Sequence, residues 1–171
     1  MKPEISDKSL NEFKTLYAEI ESFYKGKIMT ELERKTVLDL KKLIIQSSKK
    51  GFDAVDLSRF ESHISILLMT LGELATERMK QMNFLFRYNK WKKHREWNSA
   101  KEELGKRMEK VLVGDIENEV NSKMFADLSL QIYLESIADY LTSLHRDGTM
   151  YVNSLKDRIK VEMREFNLKQ E

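Results

Sequence analysis

The chain of 171 residues contains no cysteine, one proline (Pro3) and six glycines. Without cysteine there can be no disulfide, thiolate metal site or thiol nucleophile. With so few breakers, most of the chain is free to be helical. No apolar run approaches the roughly 18 residues of a membrane span. The N-terminus, MKPEISDKSLNEF, carries acids and no apolar core. It therefore predicts no signal peptide and a cytoplasmic protein, with no membrane partner.

Common enzyme signatures are missing as well. Neither G-x-x-x-x-G-K-[ST] nor G-x-G-x-x-G occurs. His63, His94 and His145 lack the i, i+4 partner of a helical zinc site. Glu102 and Glu103 sit among cations and lack the E-x-x-H companion of a di-metal carboxylate bundle. The reading is therefore non-enzymatic, with no cofactor and no metal.

What is present is charge, 34 % of residues, and it is unevenly spread. Residues 1–77 carry 12 Lys/Arg against 13 Asp/Glu, residues 78–110 carry 11 against 4, and residues 111–171 carry 7 against 11. A basic block thus lies between two mildly acidic arms.

Hydrophobic periodicity predicts an all-α fold of long helices with heptad-like seams, an elongated helical bundle or coiled-coil-like assembly. Leu10, Phe13, Leu16, Tyr17, Ile20, Phe23 and Tyr24 place a helix over 7–24, with Gly26 as its stop. Thr30 and Glu33 have the T-x-x-E spacing of a capping box, opening a second helix that ends by Gly51. Asp53 opens a third. Its seam is Leu57, Phe60, Ile64, Leu67, Leu71 and Leu74, continuing through Ala75, Met79, Met82 and Phe86. Uninterrupted to residue 113 it would run about 90 Å at 1.5 Å per residue, with kinks possible at Gly72 or Gly105. Two short neighbours could not bury such a helix, so partner copies of the chain are expected.

Gly114-Asp115 breaks the pattern, and 115–123 reads as a turn plus a short helix. The last helix starts near Met124 or Asp127. Leu130, Leu134, Ile137, Leu141, Leu144, Tyr151, Leu155, Ile159, Met163 and Phe166 form its seam, and Gly148 on that seam is either a helix break or a close-contact position inside one helix, with a helix that runs on after a local kink the favoured reading. Two domains are expected, a helical hairpin over 1–52 and a long-helix domain over 53–171 for oligomerisation and nucleic-acid binding, with one continuous domain as the alternative. The oligomerisation residues would be Leu57, Phe60, Ile64, Leu67, Leu71, Leu130, Leu134, Ile137, Leu141 and Leu144.

Residues 78–97 read RMKQMNFLFRYNKWKKHREW, with seven Lys/Arg and no acid before Glu96. The apolar seam fails here, because Asn89, Lys90 and Lys93 follow Phe86. Arg87, Trp91 and Arg95 share one helical face, beside Tyr88 and Lys92. Trp91 and Trp97 lie about 240° apart, too far for one apolar stripe to bury both. Cations that displace counterions from phosphates, mixed with flat rings that stack on unpaired bases, suit single-stranded nucleic acid. The strand-contact residues would be Arg87, Tyr88, Lys90, Trp91, Lys92, Lys93 and Arg95, followed by Lys106, Arg107 and Lys110. A solvated or protein-binding face and an anionic membrane surface are the alternatives. A duplex-DNA regulator is a further rival, although no short helix–turn–helix pattern is present.

Two runs carry a family resemblance. Tyr88-Asn89-Lys90-Trp91-Lys92-Lys93-His94 resembles a Y-x-K-W…K-H stretch of the UvsY family of phage recombination mediators. Asp127-Leu128-Ser129-Leu130-Gln131 resembles the D-x-S-L-Q stretch opening that family's C-terminal helix, which later carries an Arg-Gly similar to Arg146…Gly148. Between them, Lys106-Arg107-Met108 before Gly114-Asp115 is similar to the family's basic stretch for single-stranded DNA contact. The similarity covers about residues 88–155. The gap between the two motifs is shorter here, and the Lys-Arg pair is adjacent rather than spaced. The resemblance implies a non-catalytic, all-helical homo-oligomer in the host cytoplasm that binds single-stranded DNA. Such a protein helps a recombinase replace single-strand-binding protein. The rival from another class is a structural coiled-coil adaptor or phage assembly protein without nucleic-acid binding.

Overall fold

In the computed structural model, residues 29–108 and 110–168 are described, and they are all-α. Among them are helices α1 (Glu31–Ser47), α2 (Ala54–Gly105), α3 (Val113–Lys123) and α4 (Phe125–Leu168), and no strand. The helix expected over 7–24 lies outside the described residues.

Local chemistry sets most helix starts. Thr30 Oγ1 accepts from the Glu33 N–H at 2.8 Å, and Glu33 Oε2 accepts from the Thr30 N–H at 2.6 Å, which completes the capping box. The Asp53 carboxylate accepts from the Asp56 N–H at 2.8 Å, capping α2. After Ser48 the chain leaves α1 and turns at Gly51, whose φ of 95° suits glycine.

The described residues divide into two compact units, 29–78 with 137–168 and 79–136. In the first unit α1 and the start of α2 pack with the second half of α4. Leu57, Ile64, Leu68, Leu71 and Ala75 of α2 are buried, as are Ile137, Ala138, Leu141, Val152 and Leu155 of α4. Two glycines permit close approach of these helices. A Cβ on Gly148 would collide with the Leu68 side chain, and one on Gly72 would stand 3.2 Å from His145 Nε2. Helix α4 runs unbroken through Gly148, and α2 through Gly72. The unit also buries an ion pair. Arg78 Nε and Nη2 reach the two Glu33 carboxylate oxygens at 2.5 and 3.1 Å, and the side chains are 7 % and 1 % exposed. Burial pushes the Glu33 carboxyl up, but the Arg78 guanidinium and the Thr30 N–H together hold it below its ordinary value.

In the second unit Leu85 packs with Leu130 and Leu134, and Met82 and Tyr88 lie against them. Farther along, Ala100, Ile116, Val120 and Met124 form a cluster that Trp97, Leu104, Val111 and Leu128 cover. That cluster explains why α2 stops at Gly105 rather than running to 113. The chain turns at Lys106 and Arg107, and Ile116 and Val120 of α3 join the cluster around Ala100. Glycine lowers the cost of leaving the helix there. Gly114 lies inside α3 instead of breaking a helix. Asp115 stabilises the start of α3 by accepting from the Leu112 N–H at 3.0 Å.

The seam of α2 departs from the expected one. Phe60, Leu67 and Leu74 are only half-buried, and Met79 and Phe86 are exposed. From Ile64 the buried stripe continues instead through Leu68, Leu71, Ala75, Arg78, Leu85 and Asn89. The three- and four-residue rhythm persists, but Arg78 and Asn89 occupy core positions.

Candidate nucleic-acid interface

The face of α2 turned away from the second unit's core carries Asn83, Arg87, Lys90, His94, Asn98 and Lys101. All are exposed, and their steps of three and four residues place them on one stripe. No acid interrupts it. Lys93 and Arg95, also exposed, flank His94 at about 100° on either side. Adjacent members of the stripe rise by about 4.5–6 Å along the helix, so its cations form a line rather than a point.

Two residues of the basic segment are not on this face. Arg78 is the buried partner of Glu33. Lys92 points the other way, and its Nζ meets Asp127 Oδ2 at 2.5 Å, with side-chain exposures of 25 % and 7 %. One turn earlier, buried Asn89 donates through Nδ2 to the Asp127 carbonyl at 3.2 Å and to Gln131 Oε1 at 2.9 Å. Lys92, expected to contact a strand, is thus a clasp between α2 and α4. The core rhythm continues through it, since 85, 89 and 92 face inward together. The two short motifs that carried the family resemblance meet in this clasp, a proximity that neither motif implies by itself. The signal that could have found it was the i, i+3/i+4 seam read without regard to polarity.

The aromatics divide in the same way. Tyr88 is half-buried against the Leu85 cluster. Trp97 packs on the Ala100 cluster. Trp91 is half-buried and lies between two flat neighbours. Its ring centroid is 6.0 Å from that of Tyr88, with 40° between planes, and the Arg95 guanidinium carbon stands 5.4 Å over it. The Arg95 side chain is 67 % exposed and approaches Glu96 at 3.7 Å.

Past Gly105, Lys106 is exposed and bridges Glu102 at 3.1 Å. Arg107 and Lys110 are exposed. Nearby, Lys123 holds Glu103 at 2.9 Å and Glu119 at 3.4 Å. Its hydrogen bond to Glu103 raises the ammonium's pKa, and the same contact lowers that of the carboxyl.

Several expected oligomerisation residues are spent inside the chain. Leu57, Ile64, Leu71, Leu130, Leu134, Ile137 and Leu141 are buried in intrachain cores, while Phe60, Leu67 and Leu144 are half-buried. In each unit a stretch of α4 packs against α2. Among the described residues no group of three or more His, Asp or Glu could hold a metal ion. No described helix is long and apolar enough to cross a membrane. Comparison with protein-family models, characterised proteins and solved structures gives no significant match.

Proposed function

We propose that this protein is a non-enzymatic single-stranded DNA-binding protein of the recombination-mediator type, with the outer face of α2 as its strand site. The observation that carries the reading is the acid-free, exposed line of Arg87, Lys90, His94 and Lys101, flanked by Lys93 and Arg95. Phosphates are the anion that a line of cations suits, because each neutralised phosphate releases a counterion. Lys106, Arg107 and Lys110 extend the basic surface beyond Gly105. Recruitment of a recombinase, and competition with single-strand-binding protein, rest on the resemblance to the UvsY family. Self-association would multiply weak strand sites by avidity.

The test is a quadruple reversal, Arg87, Lys90, Lys93 and Arg95 each to Glu, which leaves the Lys92–Asp127 clasp intact. Affinity for an oligo-dT strand is expected to collapse while helicity and oligomer size are unchanged. Unchanged affinity in a folded variant would sink the reading.

A second reading draws on a different observation. Phe125, Ile132 and Tyr133 of α4 are exposed at 73 %, 63 % and 53 %. These apolar residues suit a protein-binding adaptor without nucleic-acid affinity. A well-formed protein that ignores DNA and RNA at low salt would favour it.

A further inference from the structure

Resting on the strand-binding reading, we infer that each chain stacks an unpaired base on the Trp91–Arg95 pair, and that Tyr88 and Trp97 take no part. Tyr88, Trp91 and Arg95 follow one another by three and four residues, so their flat groups rise along one flank of α2. The Arg95 guanidinium lies over the Trp91 ring at 5.4 Å, and Tyr88 stands behind at 6.0 Å. The inner end of this ladder is anchored, because Tyr88 is packed on the Leu85 cluster. The outer end is open, because the Arg95 side chain is 67 % exposed.

A base has two ways to join. It can stack on the outer plane of the guanidinium, as bases do on arginine. It can instead displace Arg95 from the indole and leave that cation to a phosphate. Either way the recognised group is an aromatic heterocycle outside a duplex, since a base within one has both faces stacked on its neighbours. Trp97 is excluded by its packing against the Ala100 cluster. The neighbouring stripe of Arg87, Lys90 and His94 lies within a turn of the ladder, so the phosphates and the stacked base belong to the same strand.

The experiment compares an oligo-dT strand with an abasic strand of the same length, titrated into the full chain. Binding is read by anisotropy across a salt series and by tryptophan fluorescence. The wild type is expected to bind oligo-dT about ten-fold more tightly than the abasic strand, the scale of one stacked base. Fluorescence should be quenched by the first strand only. Trp91→Ala should abolish that discrimination and leave the salt slope unchanged. Trp91→Phe, which keeps a flat ring at the same place, should restore most of it, and this separates lost stacking from a disturbed helix. Equal wild-type affinities for the two strands, with a steep salt slope, would overturn the stacking inference and leave phosphate binding standing. Discrimination that survives in Trp91→Ala would overturn it as well. Failure of the wild type to bind either strand would overturn the strand-binding reading and this inference together.

Discussion

Glu33 performs two tasks with one carboxylate. It closes the capping box of α1 and neutralises the buried Arg78. Removing Arg78 strands the Glu33 carboxylate in the interior, at a cost of about 3–5 kcal/mol. Arg78→Ala should lower stability on that scale in chemical denaturation, far beyond what losing one exposed cation would do. The pH dependence has a definite sign. Glu33 titrates lower in the folded chain than in the unfolded one. Its stabilisation is therefore complete above the unfolded value, about 4.3, and is lost as pH falls through the lower folded value. Glu33→Gln should be less stable at neutral pH and show a shallower loss in acid. Gly148 poses a steric version of the same question. Gly148→Ala drives a methyl into Leu68 and should cost about 1–3 kcal/mol. Pairing it with Leu68→Ala should give a coupling that relieves part of that loss, measurable as a double-mutant cycle.

At the scale of elements, α2 is one helix with one rhythm and two chemistries. The caps of α1 and α2 could be read directly, because T-x-x-E and an aspartate before a periodic run act through local backbone groups, and so could the seam positions Leu57, Ile64, Leu71 and Ala75. The T-x-x-E at Thr30 and the aspartate at 53 both do what their spacing implies. The seam beyond Ala75 was hidden because polar residues fill it. Arg78 looked like part of a basic block, and Asn89 and Lys92 looked like solvent-facing positions. Their partners, Glu33, Asp127 and Gln131, are 35 to 45 residues away along the chain. No local pattern reveals such pairing. The stop at Gly105 was equally hidden, since α3 sets it by folding back on Ala100. The clasp gives an element-scale prediction. Asp127→Ala leaves Lys92 without its carboxylate and should lower thermal stability of the chain by several degrees. Because α2 keeps its outer stripe, strand affinity should change far less than in the charge-reversed variant. If Asp127→Ala abolished binding without unfolding the protein, the clasp would be part of the strand site.

For the whole molecule, the division between inward and outward cations matters more than the net charge of +2. Arg78 and Lys92 hold helices together, whereas Arg87, Lys90, Lys93 and Arg95 face solvent. Intrachain packing by α4 also moves the question of assembly onto exposed residues. Phe125, Val113 and Ile132 are the most exposed large apolar residues of the second unit, and Ile132→Glu should reduce the mass found by light scattering if the Phe125–Ile132 face mediates the proposed self-association, with helicity unchanged. An unchanged mass would remove that face from the assembly. The central claim is that the outer face of α2 is an electrostatic track for a single strand. Its most direct test is the affinity of the full chain for labelled oligo-dT across a salt series, beside a duplex of the same length. A slope of log K against log salt of several units, with the single strand preferred, is expected from the line of exposed cations. No binding to either nucleic acid even at low salt would contradict the claim.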